Sequence, residues 1–310
     1  MILEKKIVSV ASYGRIESLV KTLESIIDQC DVLNVVLNSE INEIPKILLD
    51  DKINLVFSDN SYGDAMKFLF LEESEGYYLT IDDDIIYPPN YVEFMISRCK
   101  DYNNSRVITL HGRSFGKFPI LSYYKSANER YSCFQELKKN VAVQFGGTGV
   151  MCFHTSLLKL PLKYFQYPNM ADVWIGKHCM ENKIEIYCIR HEGNFIKYMD
   201  QKTTIHGSYS GNDSLQSKVV NSIFDKTIIL GNLYGNMIEE TQQENVKINR
   251  ERPIPIKSTI EVNKKTINYD TVNNVFQQNQ RTVVQRPNQP SNSKFNRNNS
   301  MVIKSFQKKR

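Results

Sequence analysis

Apolar positions in the first 225 residues change period several times, and each change marks an element. Residues 6–12 read as a strand, and Ile16, Leu19, Val20, Leu23, Ile26 and Ile27 then recur at helical spacing to give one apolar face. Strand-like runs return at 32–38, 53–58 and 77–81, with a short helix expected at 45–51. Further on, 91–102 reads as a helix with Val92, Met95, Ile96 and Cys99 on one side. Strands are expected at 107–110, 141–145 and 184–189, and helices at 170–182 and 215–229. Strand, helix and strand in succession predict parallel βαβ units and an α/β sheet.

One run changes character abruptly. The apolar stretch 77–81 ends in Asp82, Asp83 and Asp84, and Pro88 and Pro89 then stop extended pairing and suit the start of a helix. Adjacent carboxylates at the end of a buried strand repel one another unless a cation neutralises them. Mg²⁺ or Mn²⁺ suits such oxygen ligands and keeps positions open for substrate phosphates. The carboxyl ends of strands are where α/β sheets bind ligands. A solvated acidic turn is the bland alternative. A second marked segment is Gly146-Gly147-Thr148-Gly149, a tight, bare turn whose backbone N–H groups a flat substrate can approach. Between the two, residues 113–140 mix Phe115, Phe118, Tyr123, Tyr124 and Tyr131 with basic residues. Such a loop suits either an acceptor site, where sugars stack on rings, or packing of those rings on the core.

The sequence Asp82-Asp-Asp-Ile-Ile-Tyr-Pro-Pro-Asn-Tyr-Val92 after a strand resembles the DxD region of nucleotide-sugar-dependent glycosyltransferases of the GT-A fold, above all the family-2-like bacterial enzymes of surface-polysaccharide loci. The resemblance extends over about residues 5–225 and implies a Rossmann-like mixed sheet flanked by helices. It places Ser12, Tyr13 and Arg15 at the nucleotide, where Arg15 can also pair a carboxylate or phosphate with two prongs, or lie on the surface. It sets the loop with Asp59, Gly63 and Lys67 beside the base, ribose and diphosphate. In the residues themselves, Gly63 suits close approach by a ligand, and Asp64 suits a helix N-cap. By the same resemblance, Asp82 and Asp83 belong to the nucleotide-sugar site, Asp84 binds Mn²⁺ or Mg²⁺, and Gly147, Thr148 and Gly149 line the pocket. Asp172 would take the proton from the acceptor hydroxyl, although the commoner double-acid pattern there is reduced to Ala171-Asp172; N-capping is its alternative role. His206 would complete the metal shell, or Arg190, Lys197 or Lys202 would contact the diphosphate instead. His154 reads as a satisfied, half-buried histidine.

Composition adds a division of charge. The 310 residues carry a net +5, but residues 241–310 hold 14 Lys and Arg against 4 Asp and Glu, which leaves −5 for the first 240. Residues 1–240 therefore read as the transferase domain. Residues 241–310, with 20 Asn and Gln, read as a flexible basic extension. That extension suits a peripheral membrane contact or a protein partner; it shows no motif for sequence-specific nucleic acid. Six scattered cysteines without CxxC spacing, and no leader or membrane-spanning pattern, give the expectation of a cytoplasmic protein, held peripherally at the inner face of the membrane if the tail docks there. The implied activity is transfer of a sugar from a nucleotide-sugar donor to a hydroxyl of a glycan, a lipid-linked molecule or another acceptor. Two other classes stay open: a sugar nucleotidyltransferase, which wants a Gly-rich basic loop after the first strand, and a non-enzymatic, basic-tailed interaction protein.

Overall fold

A computed structural model describes residues 4–199 and 211–224. His206, Lys202 and the extension 241–310 lie outside the described residues. The strands are β1 (Lys6–Ser12), β2 (Val32–Leu37), β3 (Ile53–Phe57), β4 (Tyr77–Ile81), β5 (Ile85–Ile86), β6 (Arg106–Thr109), β7 (Gly112–Ser114), β8 (Glu129–Tyr131), β9 (Val141–Val143), β10 (Phe145–Gly146), β11 (Val150–His154), β12 (Glu185–Cys188) and β13 (Lys197–Tyr198). The helices are α1 (Ile16–Ile26), α2 (Tyr91–Asp101), α3 (Ala171–Glu181) and α4 (214–224).

Eight strands form one mixed sheet in the order β3-β2-β1-β4-β11-β6-β12-β9. Strands β1 to β4 are parallel, and β11 runs antiparallel between β4 and β6. The chain winds outward from β1 through β2 to β3, then returns to β4 on the other side of β1. This reversal makes β1 and β4 a topological switch point, and the crevice outside their carboxyl ends is the expected ligand position.

Alternation within the strands divides the core. Val8 and Val10 of β1 face α1 and α2, where Leu19, Leu23, Met95 and Ile96 are fully or almost fully buried. Ile7 and Tyr78 face the opposite layer, which holds Trp174 and Ile175 of α3 and Val220 of α4. Each fully buried Leu or Ile contributes about 1.5–3 kcal/mol. The fold is thus a mixed α/β sheet flanked by helices, of the α/β class that the periodicity predicts.

Three local expectations need correction. The helix expected at 45–51 is a single 3-10 turn, Lys46–Leu49. The strand expected at 141–145 breaks at Gln144 into β9 and β10, which join different sheets. There the Gln144 side chain accepts from Phe115 N (2.7 Å), which ties it to the neighbouring loop. Residues 113–140 are not wholly loop, because β7 and β8 pair within them. Phe115 and Tyr123 are buried in the core there, so packing accounts for much of the aromatic content, while Tyr124 is only half-buried. All six cysteines are buried free thiols.

Candidate active site

Register brings the marked segments together. Ile81, the last residue of β4, pairs with Val10 of β1 and with Val150 of β11. Asp82 therefore emerges between the end of β1 and the Gly147-Thr148-Gly149 turn. Its carboxylate lies so close to Gly149 that a Cβ there would stand 1.9 Å from Asp82 Oδ2. Tyr87 locks this junction: its hydroxyl donates to Gly149 O (2.6 Å) and accepts from Asp82 N (2.9 Å). Tyr87 was not singled out in the sequence, where it reads only as part of the segment after the acids.

Two basic side chains of the chain itself pair with the acidic run. Arg15 grips Asp83 with two prongs, Nη2 to Oδ1 (2.5 Å) and Nε to Oδ2 (3.2 Å), and reaches Asp84 Oδ2 through Nη1 (2.8 Å). Lys67, buried at the end of a 3-10 segment (Gly63–Phe68), pairs with Asp82. Burial alone would lower the Lys67 pKa, but the charges of Asp82 and Asp64 outweigh it and hold the ammonium above its ordinary value. Asp83 has no exposed side-chain surface; burial raises its carboxyl, opposed by Arg15 and the Ser12 hydroxyl.

Asp84 is pushed up to about 7, first by burial and then by the charge of Asp82. Lys67 bonds one oxygen of Asp82 and Arg15 one oxygen of Asp84; the second oxygen of each accepts no hydrogen bond found among the described residues. No group of three or more His, Cys, Asp or Glu among the described residues is placed to hold a metal ion. A hard divalent cation bound here would take one or two of these carboxylates and complete its shell with phosphate and water.

Other expected nucleotide residues sit differently. Tyr13 is exposed at 62% beside the crevice. Asp59 is exposed and accepts from Ser61 N (3.0 Å); hydrogen bonding by Ser61 lowers its pKa, as in a solvated turn. Gly63 has φ +55°, and a Cβ there would meet Asn169 Oδ1 at 2.3 Å, so Asn169 makes a close approach to it. Thr148 is buried, and the N–H of Gly147 is taken by His111 O (2.8 Å), so that N–H is not open to a substrate. Arg190 lines a hollow of about 300 Å³ with Phe94, Arg98 and Asn140, and Lys197 lies in the exposed strand β13. Met199 N, two residues beyond Lys197, donates to Asp84 O (2.8 Å). His154 is half-buried against Glu4 (3.0 Å), as expected.

A second cluster faces the first. Asp172 lies in the first turn of α3, where Oδ1 accepts from Val173 N (2.9 Å) and Oδ2 accepts from the Tyr123 hydroxyl. It makes no N-cap hydrogen bond; the α3 backbone is served instead by Asp64, whose Oδ2 accepts from Ala171 N (3.2 Å). Asp64 is therefore not the cap of its own segment. It is a long-range support for α3, invisible in sequence because its partner is 107 residues away. Asp64 Oδ1 is buried without a hydrogen-bond partner. Burial raises this carboxyl to about 7, opposed by Lys67 and reinforced by Asp172 and Asp82, so Asp64 links the two clusters.

That shift predicts a pH dependence. Between about pH 4 and pH 7 folded Asp64 keeps a proton that the unfolded chain releases, so its contribution falls as pH rises through this window. Asp84 acts in the same direction. Thermal unfolding at pH 5, 6, 7 and 8 should show wild type losing stability with rising pH and Asp64→Asn losing less, by an amount on the order of 2 kcal/mol. Parallel curves for the two proteins would mean that Asp64 ionises freely in the fold.

Neither a family model nor a curated protein matches the chain. Among solved structures it is similar to a nucleotidyl transferase from Methanothermobacter thermautotroptrophicus, at 12% identity over 61% of this chain and 88% of that one, with a TM-score of 0.39. A likeness of that size carries no argument about function, which therefore rests on the site.

Proposed function

We propose that the chain is a glycosyltransferase that moves a sugar from a nucleotide-sugar donor to an acceptor hydroxyl, as the family-2-like GT-A resemblance implies. The observation that supports this most is the placement of Asp82, Asp84, Arg15 and Lys67 at the β1/β4 switch point, linked through Asp64 to Asp172. Ser12 and Arg15 border the nucleotide, and Lys67 offers positive charge to the diphosphate. Asp82 and Asp84, with His206 as a further candidate, would hold Mn²⁺ or Mg²⁺, which stabilises the negative charge gained by the leaving diphosphate. Asp172, oriented by Tyr123 and Val173, accepts the proton of the attacking hydroxyl. A base at this position implies inversion at the anomeric carbon. The loop after β1 holds one glycine, and its arginine is turned onto carboxylates, which disfavours the nucleotidyltransferase alternative.

One observation favours a second reading. Because Arg15 and Lys67 already pair with all three acids, the run also suits a structural turn in a basic-tailed interaction protein. Among the described residues no helix is long and apolar enough to cross a membrane. The net +10 of residues 241–310 would hold the protein to anionic headgroups at about 1 kcal/mol per positioned charge.

A thermal-shift panel of UDP, GDP, CMP and dTDP with and without Mn²⁺ separates the readings. Wild type should be stabilised by one nucleotide only with Mn²⁺, by about 2.7 kcal/mol at 100 times its Kd, and Asp84→Ala should lose the shift. Absence of any shift in folded wild type would leave the acids as a structural turn.

A further inference from the structure

We infer that the hollow between α2 and the end of β12 is an oxyanion site that takes the phosphate group of a ligand. It is separate from the switch point, since none of Arg15, Lys67, Asp82 and Asp84 lines it. It binds without metal and stands whether or not the chain transfers sugars.

The hollow, about 300 Å³, is lined by Phe94, Arg98, Asn140 and Arg190. Phe94 and Arg98 stand one turn apart on α2. Asn140 and Arg190 come from the sheet: Val141, which follows Asn140, pairs with Cys188 of the antiparallel β12. Asn140 ties these parts together. Its Oδ1 accepts from Arg190 N (2.7 Å), and its Nδ2 donates to the hydroxyl of Tyr102 at the end of α2 (2.8 Å). Phe94 is braced by Phe195, with ring centres 4.8 Å apart, and the Arg98 guanidinium lies 5.4 Å from the Phe94 ring centre. Packing and hydrogen bonds therefore hold the walls, and two cations border one space.

Both guanidinium groups keep donors to offer. Arg98 gives Nη1 to Asp101 Oδ2 (2.8 Å), an acid whose side chain is 53% exposed. The Arg190 side chain forms no ion pair or hydrogen bond among the described residues; only its backbone N–H is engaged, by Asn140. Within 98–101, 138–140 and 190–192, Lys100, Lys138 and Lys139 add to the two arginines, against Asp101 and Glu192. Like charges that border one small space repel, and an anion between them relieves the repulsion. Phosphate suits the pair better than carboxylate does. A carboxylate has two oxygens and fills one guanidinium fork, whereas a phosphate group has a third oxygen for the second.

Isothermal titration calorimetry on the full chain, with EDTA present and at low salt, tests this with pyrophosphate and succinate. Pyrophosphate should bind saturably and at least about tenfold more tightly than succinate. Arg98→Gln and Arg190→Gln should each weaken it about five- to tenfold, and Asp101→Asn, which frees Nη1 of Arg98, should tighten it. Lys159→Gln removes a charge paired with Glu75 at the other edge of the sheet and should change nothing. If Arg98→Gln does not fold, Arg190→Gln and Asp101→Asn carry the test. Cosedimentation with vesicles containing phosphatidic acid then tells the source of the phosphate: binding lost in the arginine variants means a lipid headgroup, and binding kept means a soluble phosphate compound. Three results overturn the inference: no saturable pyrophosphate binding, succinate binding as tightly, or arginine variants that bind no more weakly than Lys159→Gln.

Discussion

Asp172→Asn should reduce sugar transfer by about 10²–10⁴-fold while leaving nucleotide-dependent stabilisation unchanged. The amide keeps the shape of the side chain and an oxygen for Val173 N, which Asp172 Oδ1 serves at 2.9 Å. It removes the basic oxygen that would take the acceptor proton. Tyr123→Phe should cost less, because the phenol orients that carboxylate without receiving the proton. Single-turnover rates with a saturating donor would separate chemistry from binding. A rate within a few-fold of wild type in Asp172→Asn would move the base elsewhere and withdraw the argument for inversion.

Arg15→Ala should destabilise the fold by about 3–5 kcal/mol, because removing one partner of a buried ion pair leaves uncompensated charge. The charge left behind sits on Asp83, whose side chain is 0% exposed, and on Asp84 at 10%. A loss of that size lowers Tm by roughly 10 °C in a domain of this length. The defect should be worst at high pH and ease as pH falls, because without Arg15 both carboxyls rise further and folding favours their protonated forms. Mn²⁺ should restore part of the loss if the acids bind metal. Arg15→Lys should not rescue it fully, since an ammonium lacks the fork that spans both oxygens of Asp83. Denaturant unfolding with and without Mn²⁺ measures all of this; a loss below about 1 kcal/mol would mean the pair is effectively solvated.

The buried parallel strands β1, β2 and β4 were legible because strands covered on both faces read as nearly continuous apolar runs, whereas β3, at the sheet edge with only Val56 buried, was marked by a shorter and weaker run. The convergence of Arg15 and the acids was half legible. The sequence showed a residue able to form two prongs and a cluster needing a cation, but not that each answers the other across 68 positions. Periodicity names an element and its buried face; it does not name a partner, which depends on strand order. For the same reason Asp64 looked like a local cap, and Tyr87 and Tyr123 passed as ordinary aromatics. Gly63 and Gly149 show a related limit, since a bare backbone position signals close approach without saying by what. Here the approaching groups are Asn169 and Asp82.

The antiparallel course of β11 constrains how this chain can diverge. Its first residue, Val150, pairs with the last residue of β4, so the turn before it meets Asp82 only if the count between 145 and 154 is kept. One inserted or deleted residue would invert every side chain of β11 and carry Gly149 away from Tyr87 and Asp82. Residues 115–128, between β7 and β8, are pinned differently, at separate points: Ile120 by Asn221, Ser122 and Tyr124 by Asp213, and Tyr123 by Ser217. Distant descendants of this sequence should therefore conserve spacing from Phe145 to His154.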